Sequence, residues 1–213
     1  MDCSDKPDAY ANSLPRLDLT IDNSLVQRFF ILLQQGVMLW TRIGCNVKVF
    51  LSEEIGAGQD TINKIQSIFL DGRPVDDLSA ATIKDGSVLA LSAAMPGLVG
   101  ATLRRGGTYS SFRNTITYHE DSAPCDSGEG FVQIKLFNLL MDEMGPGLLK
   151  KGVYVRSSVL MAFLSEQSPD FWQGCRSALL DGNAVGPQTF AGNARVSCHD
   201  RLFLSVSTPD GKA

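Results

Sequence analysis

The stretch ATLRRGG, Ala101 to Gly107, sets two guanidinium groups directly before two glycines. Arginines beside glycine N–H groups can hold a phosphate or carboxylate, although Arg104, Arg105, Gly106 and Gly107 lack the spacing of a phosphate loop. As a plain connection the same residues need only bend and stay solvated. Cys198-His199, with Cys175, Cys125 and His119, are of metal-ligand type but lack the paired spacing of a zinc site. Nor do neighbours on a strand form a Cys-His nucleophile pair, since their side chains point to opposite faces. Cys198 is expected to be a small buried apolar residue. Glu53, Glu54, Asp76 and Asp77 read as solvated charges on helix ends and turns. No catalytic residue, metal site or cofactor is assigned.

The 213 residues suit two compact domains of about 100 residues each. A hydrophobic share of 44% against 20% charged indicates a folded chain. The net charge of −4 leaves little to draw nucleic acid or an anionic membrane. Met1 to Arg16 has no apolar stretch of the kind a secretory signal carries. Leu25 to Leu39 is broken by Gln27, Arg28, Gln34 and Gln35 and is too short for a bilayer span of about 20 residues. A cytoplasmic location is expected. The odd set Cys3, Cys45, Cys125, Cys175 and Cys198, without C-x-x-C, suits reduced thiols.

Internal repetition organises the chain. FLSE occurs at Phe50 to Glu53 and again at Phe163 to Glu166; LDG with a following valine occurs at Leu70 to Val75 and at Leu180 to Val185. Val26-Gln27 is matched by Val132-Gln133, and Leu89-Ala90-Leu91-Ser92 by Leu202-Phe203-Leu204-Ser205. The four offsets are 106, 113, 110 and 113, differences that loops absorb at little cost. In the second copy Val132, Ile134 and Leu136 alternate with polar residues as in a half-buried strand. The glycines and Pro146 of MGPGLLKKG punctuate a turn, so Val153 to Val155 is expected to return as a hairpin partner. Ser157 or Ser158 is the cap candidate for a helix bearing Val159, Leu160, Phe163 and Leu164. In the first copy Asn46 caps Val47, Phe50, Leu51 and Ile55, and Gly56 stops them. SIFL and SALL each run into Asp-Gly, a tight turn, and SVLALSA and RLFLSVS close the copies.

This order of strand, strand, helix, strand, loop, strand resembles the β-grasp. TINKIQSIFLDGRPVDDLSAATIKDGSVLALSA, Thr61 to Ala93, looks like the later part of a ubiquitin-like domain. It is still more similar to the sulfur carriers of thiamine and molybdopterin synthesis. The expected fold is α+β: two tandem β-grasp units at 20–100 and 128–208, each a mixed sheet on one short helix. Residues 1–19 would be a flexible lead-in, 101–127 a connector that contributes the strand-like NTITYH, and 209–213 a tail.

The resemblance implies that the functional end of a carrier is a free Gly-Gly carboxylate, adenylated and then converted to a thiocarboxylate, ester or amide. Here the carbonyls of Gly106 and Gly107 are locked in peptide bonds, and the chain closes on Lys212-Ala213. The leading expectation is therefore a non-enzymatic interaction or scaffold protein with a protein partner. The alternative is a carrier-like precursor cut after Gly107, or an accessory of sulfur transfer, with an adenylating enzyme or sulfurtransferase as partner. The run Phe29 to Leu33 shows no polar alternation and reads as a strand buried on both faces or covered by a partner. Phe29, Phe30, Trp40, Phe171 and Trp172 are candidate anchors of a partner surface.

Overall fold

A computed structural model describes residues 13–109, 113, 116–118, 128–186 and 193–209. The chain is a mixed α+β protein whose strands fall in two compact units. The central unit is Met38–Met144, and the terminal unit joins Met1–Val37 to Gly145–Ala213.

The first copy begins with β1 (Arg16–Ile21), in which Leu17, Leu19 and Ile21 are buried and alternate with half-buried Asp18 and Thr20. Residues 16–19 are thus strand rather than flexible lead-in. A 3-10 turn, Asn23–Phe29, runs into α1 (Phe30–Gln35). This corrects the strand expected there. Phe29, Leu32 and Leu33 are buried at spacing i, i+3, i+4, while Ile31, Gln34 and Gln35 are exposed, which is a helical stripe. Gly36, at φ 113°, turns the chain into β2 (Val37–Ile43). Helix α2 starts at Val47–Val49 and continues as a π-helical turn, Phe50–Ile55. Its cap is the anticipated one, the Asn46 side chain accepting from the Val49 N–H at 3.0 Å. Gly56, left-handed at φ 81°, stops it as expected. Then follow α3 (Gln59–Lys64), β3 (Ser67–Leu70), β4 (Arg73–Pro74), β5 (Val88–Ser92) and α4 (Gly97–Leu103).

The second copy repeats the series from β6 (Gly128–Phe137). The anticipated turn at MGPGLLKKG is instead α5 (Leu139–Lys151), with Pro146 inside it. Leu140, Met144 and Leu148 are buried one turn apart, and that burial outweighs the local breakers. No hairpin therefore joins the first two strands of either copy; a helical segment does. After β7 (Val153–Arg156) comes α6 (Ser157–Ser165), where the expected serine cap is absent. Ser157 already lies in the helix, its N–H donating to the Asp200 carbonyl at 2.9 Å and its hydroxyl buried without a partner. The copy ends with α7 (Pro169–Gln173), β8 (Cys175–Leu180), β9 (Asn183–Ala184), α8 (Ala194–Ser197) and β10 (Arg201–Ser207). One helix per unit is therefore too few.

Both LDG segments form the same two-residue turn. Asp71 and Gly72 lie at φ 51° and 79°, and Asp181 and Gly182 at 50° and 80°. Positive φ at both positions is the type I′ hairpin geometry, which matches strand twist. Leu70 faces Arg73 and Leu180 faces Asn183 across the two turns.

Strand order departs from a simple tandem. In the central unit it is β4-β3-β5-β6-β2, with β5 parallel to β6 and antiparallel to β3. In the terminal unit it is β7-β10-β1-β8-β9, with β1 parallel to β10 and antiparallel to β8. Each unit thus has a parallel pair at its middle, one strand from each copy. The turn aspartates mark the exchange. Asp71 Oδ1 accepts the Val88 N–H at 2.7 Å, holding the start of β5, whereas Asp181 Oδ1 accepts the Arg16 N–H at 2.9 Å, holding the start of β1. Arg195 Nε donates to the other Asp181 oxygen at 2.8 Å. Burial pushes the Asp181 carboxyl up, but these two bonds outweigh it and keep it below the usual carboxylate range. The NTITYH stretch forms no described strand; within it Ile116 to Tyr118 are a turn and its exit, and the remainder lies outside the described residues.

Cutting the chain at residue 118 tests the exchange. Fragment 1–118 lacks β6 and fragment 119–213 lacks β1, so neither should unfold cooperatively alone, whereas their mixture should regain a cooperative thermal transition by circular dichroism. Cooperative unfolding of 1–118 by itself would contradict the strand assignment.

Candidate functional site

The Arg-Arg-Gly-Gly segment is folded into the central unit. It follows α4, whose Gly100 packs so tightly that an added Cβ would lie 1.7 Å from the Met95 carbonyl oxygen. The Arg105 N–H donates to the Gln66 carbonyl at 2.7 Å, tying the segment to the entry of β3. The Gly106 N–H reaches Asp76 Oδ1 at 3.2 Å, and the Gly107 N–H the Arg104 carbonyl at 3.1 Å. With both glycine N–H groups engaged, they are not free to cradle an anion. Gly106, at φ 61°, needs the left-handed region that glycine enters without cost.

The residue that holds this arrangement is Arg113, which the sequence did not single out. Its guanidinium is buried and makes four contacts: Nη2 to Asp76 Oδ1 at 2.6 Å, Nε to the Thr102 carbonyl at 2.8 Å, Nη2 to the Arg104 carbonyl at 3.2 Å, and Nη1 to Thr117 Oγ1 at 3.3 Å. A buried charge needs such partners, because an unpaired one would be expelled. Asp76, expected to be a solvated charge, is the counter-ion. An isolated arginine in a polar stretch carries no periodic signal, so only the fold reveals its role. Beyond it, the Tyr118 N–H donates to the Pro74 carbonyl at 2.8 Å, which covers β4 at the sheet edge.

The candidate partner residues separate. Phe29 and Phe171 are wholly buried and join Phe163 in an aromatic cluster of the terminal unit, with ring centroids 5.0 to 6.4 Å apart. They are core residues and cannot anchor a partner. Trp172 is half-buried and stands edge-on to Phe171 at 5.1 Å. Phe30 is half-buried on α1 beside Gly145, where an added Cβ would meet its ring at 2.9 Å. In the central unit half-buried Trp40 packs edge-on against Phe131 at 4.8 Å and donates from Nε1 to Glu129 at 3.2 Å.

The other chemical candidates are dispersed. Cys198 is exposed at the end of α8, not buried, because the chain is still helical where a strand start was expected. His199 Nδ1 pairs with the Arg195 carbonyl at 2.8 Å. Burial pushes the Cys45 and Cys175 thiols up, which disfavours the nucleophilic thiolate. Cys3, Cys125 and His119 lie outside the described residues. Among the described residues no group of three or more His, Cys, Asp or Glu could hold a metal ion. Glu54 accepts from Thr41 Oγ1 and pairs with Arg42, which also reaches Glu53 at 3.1 Å; Asp77 accepts the Ser79 N–H at 2.8 Å. Among the described residues no helix is long and apolar enough to cross a membrane. Comparison with protein-family models, curated proteins and solved structures returns no match.

Replacing Arg113 by alanine should destabilise the central unit by about 2–4 kcal/mol, since Asp76 and two carbonyls lose their donor. Limited trypsin digestion followed by mass analysis should then show early cleavage after Arg104 or Arg105 that the parent chain resists. Equal resistance in both would remove the clasp assigned to Arg113.

Proposed function

We propose that the chain is a non-enzymatic protein-interaction module, with each compact unit a β-grasp-like sheet completed by a strand from the other copy. Supporting the β-grasp reading is the order of the central unit. There β6 stands between β2 and β5 and runs parallel to β5, as a first strand does beside a last one.

The observation that carries the interaction reading is where exposed apolar surface lies. Of the six exposed large apolar residues among the described ones, Leu98, Val99, Tyr109 and Ile116, at 76, 61, 45 and 53% exposed, belong to the segment fastened by Arg113, while Ile31 and Leu139 lie elsewhere. Large apolar side chains held at the surface by an ion pair with a buried arginine come to a partner with part of their ordering cost already met. The partner is a protein with a complementary apolar surface. The competing reading, a sulfur-carrier-like precursor cut after Gly107, would need this same segment to be released and trimmed to a free carboxylate.

Two measurements separate these readings. A tagged chain recovered from its native host should keep its full mass of 23.0 kDa, with no fragment ending at Gly107. Leu98→Ser with Val99→Ser should lose the co-purifying partner while the thermal transition is retained. Gly106→Ala with Gly107→Ala should keep the partner at a cost of about 1 kcal/mol from the left-handed backbone. A native fragment ending at Gly107, or an adenylating enzyme or sulfurtransferase lost in the double-alanine variant, would favour the carrier reading.

A further inference from the structure

Along β6 the half-buried residues Gln133, Lys135 and Phe137 alternate with Val132, Ile134 and Leu136, which are fully buried on the other face of the central sheet. The parallel register sets Ala90 beside Lys135 and Ser92 beside Phe137, and Phe69 flanks Ala90 from β3. Phe69, Ala90 and Lys135 thus stand in one row across three strands. Phe137 is one row further on, diagonally across β5 from Phe69.

A cavity of about 330 Å³ opens on this face, with Phe69, Ala90, Phe137, Met95 and Pro96 in its walls. That size lies at the lower limit of small-molecule pockets. Of the polar residues in the lining, Ser92 and Asn138 both donate to the Ala94 carbonyl, so the space they leave is apolar. Because the two phenylalanines stand diagonally rather than face to face, the walls define no slot for a rigid ring, and a flexible aliphatic chain fills such a space. Its burial there is favoured in proportion to the apolar area removed from water.

The charge stands beside the cavity rather than in it. Lys135 has no hydrogen-bond or ion-pair partner among the described residues. No carboxylate stands on its neighbours β5 and β2, and the one on β6, Glu129, accepts from Trp40. A half-buried ammonium without a counter-ion gives up part of its hydration, which an arriving anion replaces with a charge-assisted hydrogen bond. Adjacent strands lie about 4.8 Å apart, so the flexible four-carbon stem brings Nζ over Ala90 to the cavity. We propose that this site binds a medium-length aliphatic monocarboxylate, its chain against Phe69, Ala90, Phe137 and Met95 and its carboxylate paired with Lys135 Nζ. The chain follows from the apolar walls, its limited length from the volume, and the negative head from the unpaired lysine at the Ala90 end.

Octanoate is the probe, with octan-1-ol as the same chain without the charge. Titrated into the ¹⁵N-labelled full chain below micelle-forming concentrations, octanoate should give saturable amide shifts centred on Phe69, Ala90, Leu91, Met95, Lys135 and Phe137. Octanol should shift the same amides but bind roughly threefold to tenfold more weakly, the worth of a half-buried charge pair. Lys135→Gln should bring octanoate down to the affinity of octanol and leave octanol unchanged, whereas Lys135→Arg should keep the preference for octanoate. Ala90→Leu fills the cavity and should weaken both probes roughly tenfold or more; the Lys135 variants decide the matter even if Ala90→Leu unfolds. The proposal is overturned by absence of saturation, by shifts centred elsewhere, by octanoate binding no tighter than octanol, by unchanged octanoate affinity in Lys135→Gln, or by undiminished binding in a folded Ala90→Leu chain.

Discussion

The parallel pairing of strands from opposite copies is the constraint on which the rest of the structure depends. In the terminal unit β1 and β10 pair from Arg16 with Phe203 to Thr20 with Ser207, and Ser205 Oγ reaches Asp18 Oδ1 at 2.6 Å across 187 residues of chain. Closing so long a loop costs only about 3 kcal/mol more than closing a ten-residue one, because the entropy grows with the logarithm of length. Burial of Leu17, Leu19 and Ile21 returns roughly 1.5–3 kcal/mol each. Distance in sequence is therefore a small obstacle to the exchange. A two-residue hairpin between first and second strands would forbid it, and both copies place a helical segment there instead.

The same pairing gives the connector its place. Because β6 lies beside β5, the chain must leave β5, cover part of the central unit and come back to the sheet, and it does so through α4 and the Arg-Arg-Gly-Gly segment. Asp76, just beyond β4, meets Arg113 from the returning chain. This ion pair works because the rest of the guanidinium is engaged as well: two carbonyls and Thr117 take three more of its hydrogens. A Gly-Gly that in isolation looks like a displaced tail is backbone bent at Gly106 so that Asp76 can bind it from within.

What could be read from the sequence was local. The Asp-Gly turns, the Asn46 cap, the Gly56 stop and the alternation through Val132, Ile134 and Leu136 each depend on a few neighbouring residues, and each is found. Two errors arose where local signals conflicted. Half-buried Phe30 filled the gaps of the stripe Phe29, Leu32 and Leu33, so a helix looked like a doubly covered strand. Gly145, Pro146 and Gly147 suggested a turn although Leu140, Met144 and Leu148 already had helical spacing. The exchange itself leaves no local trace, since β1 beside β10 and β1 beside β5 ask for the same alternating residues.

Cross-linking tests the exchange most directly, in a background with the native cysteines replaced by serine. Thr20→Cys with Ser207→Cys, and Ala90→Cys with Lys135→Cys, join residues the register places side by side, within reach of a disulfide. Mild oxidation followed by peptide mapping should give both links in high yield, and Thr20→Cys with Ala90→Cys should give none. A dominant link between positions 20 and 90 would mean that each copy keeps its own first strand, and the interleaved account would be wrong.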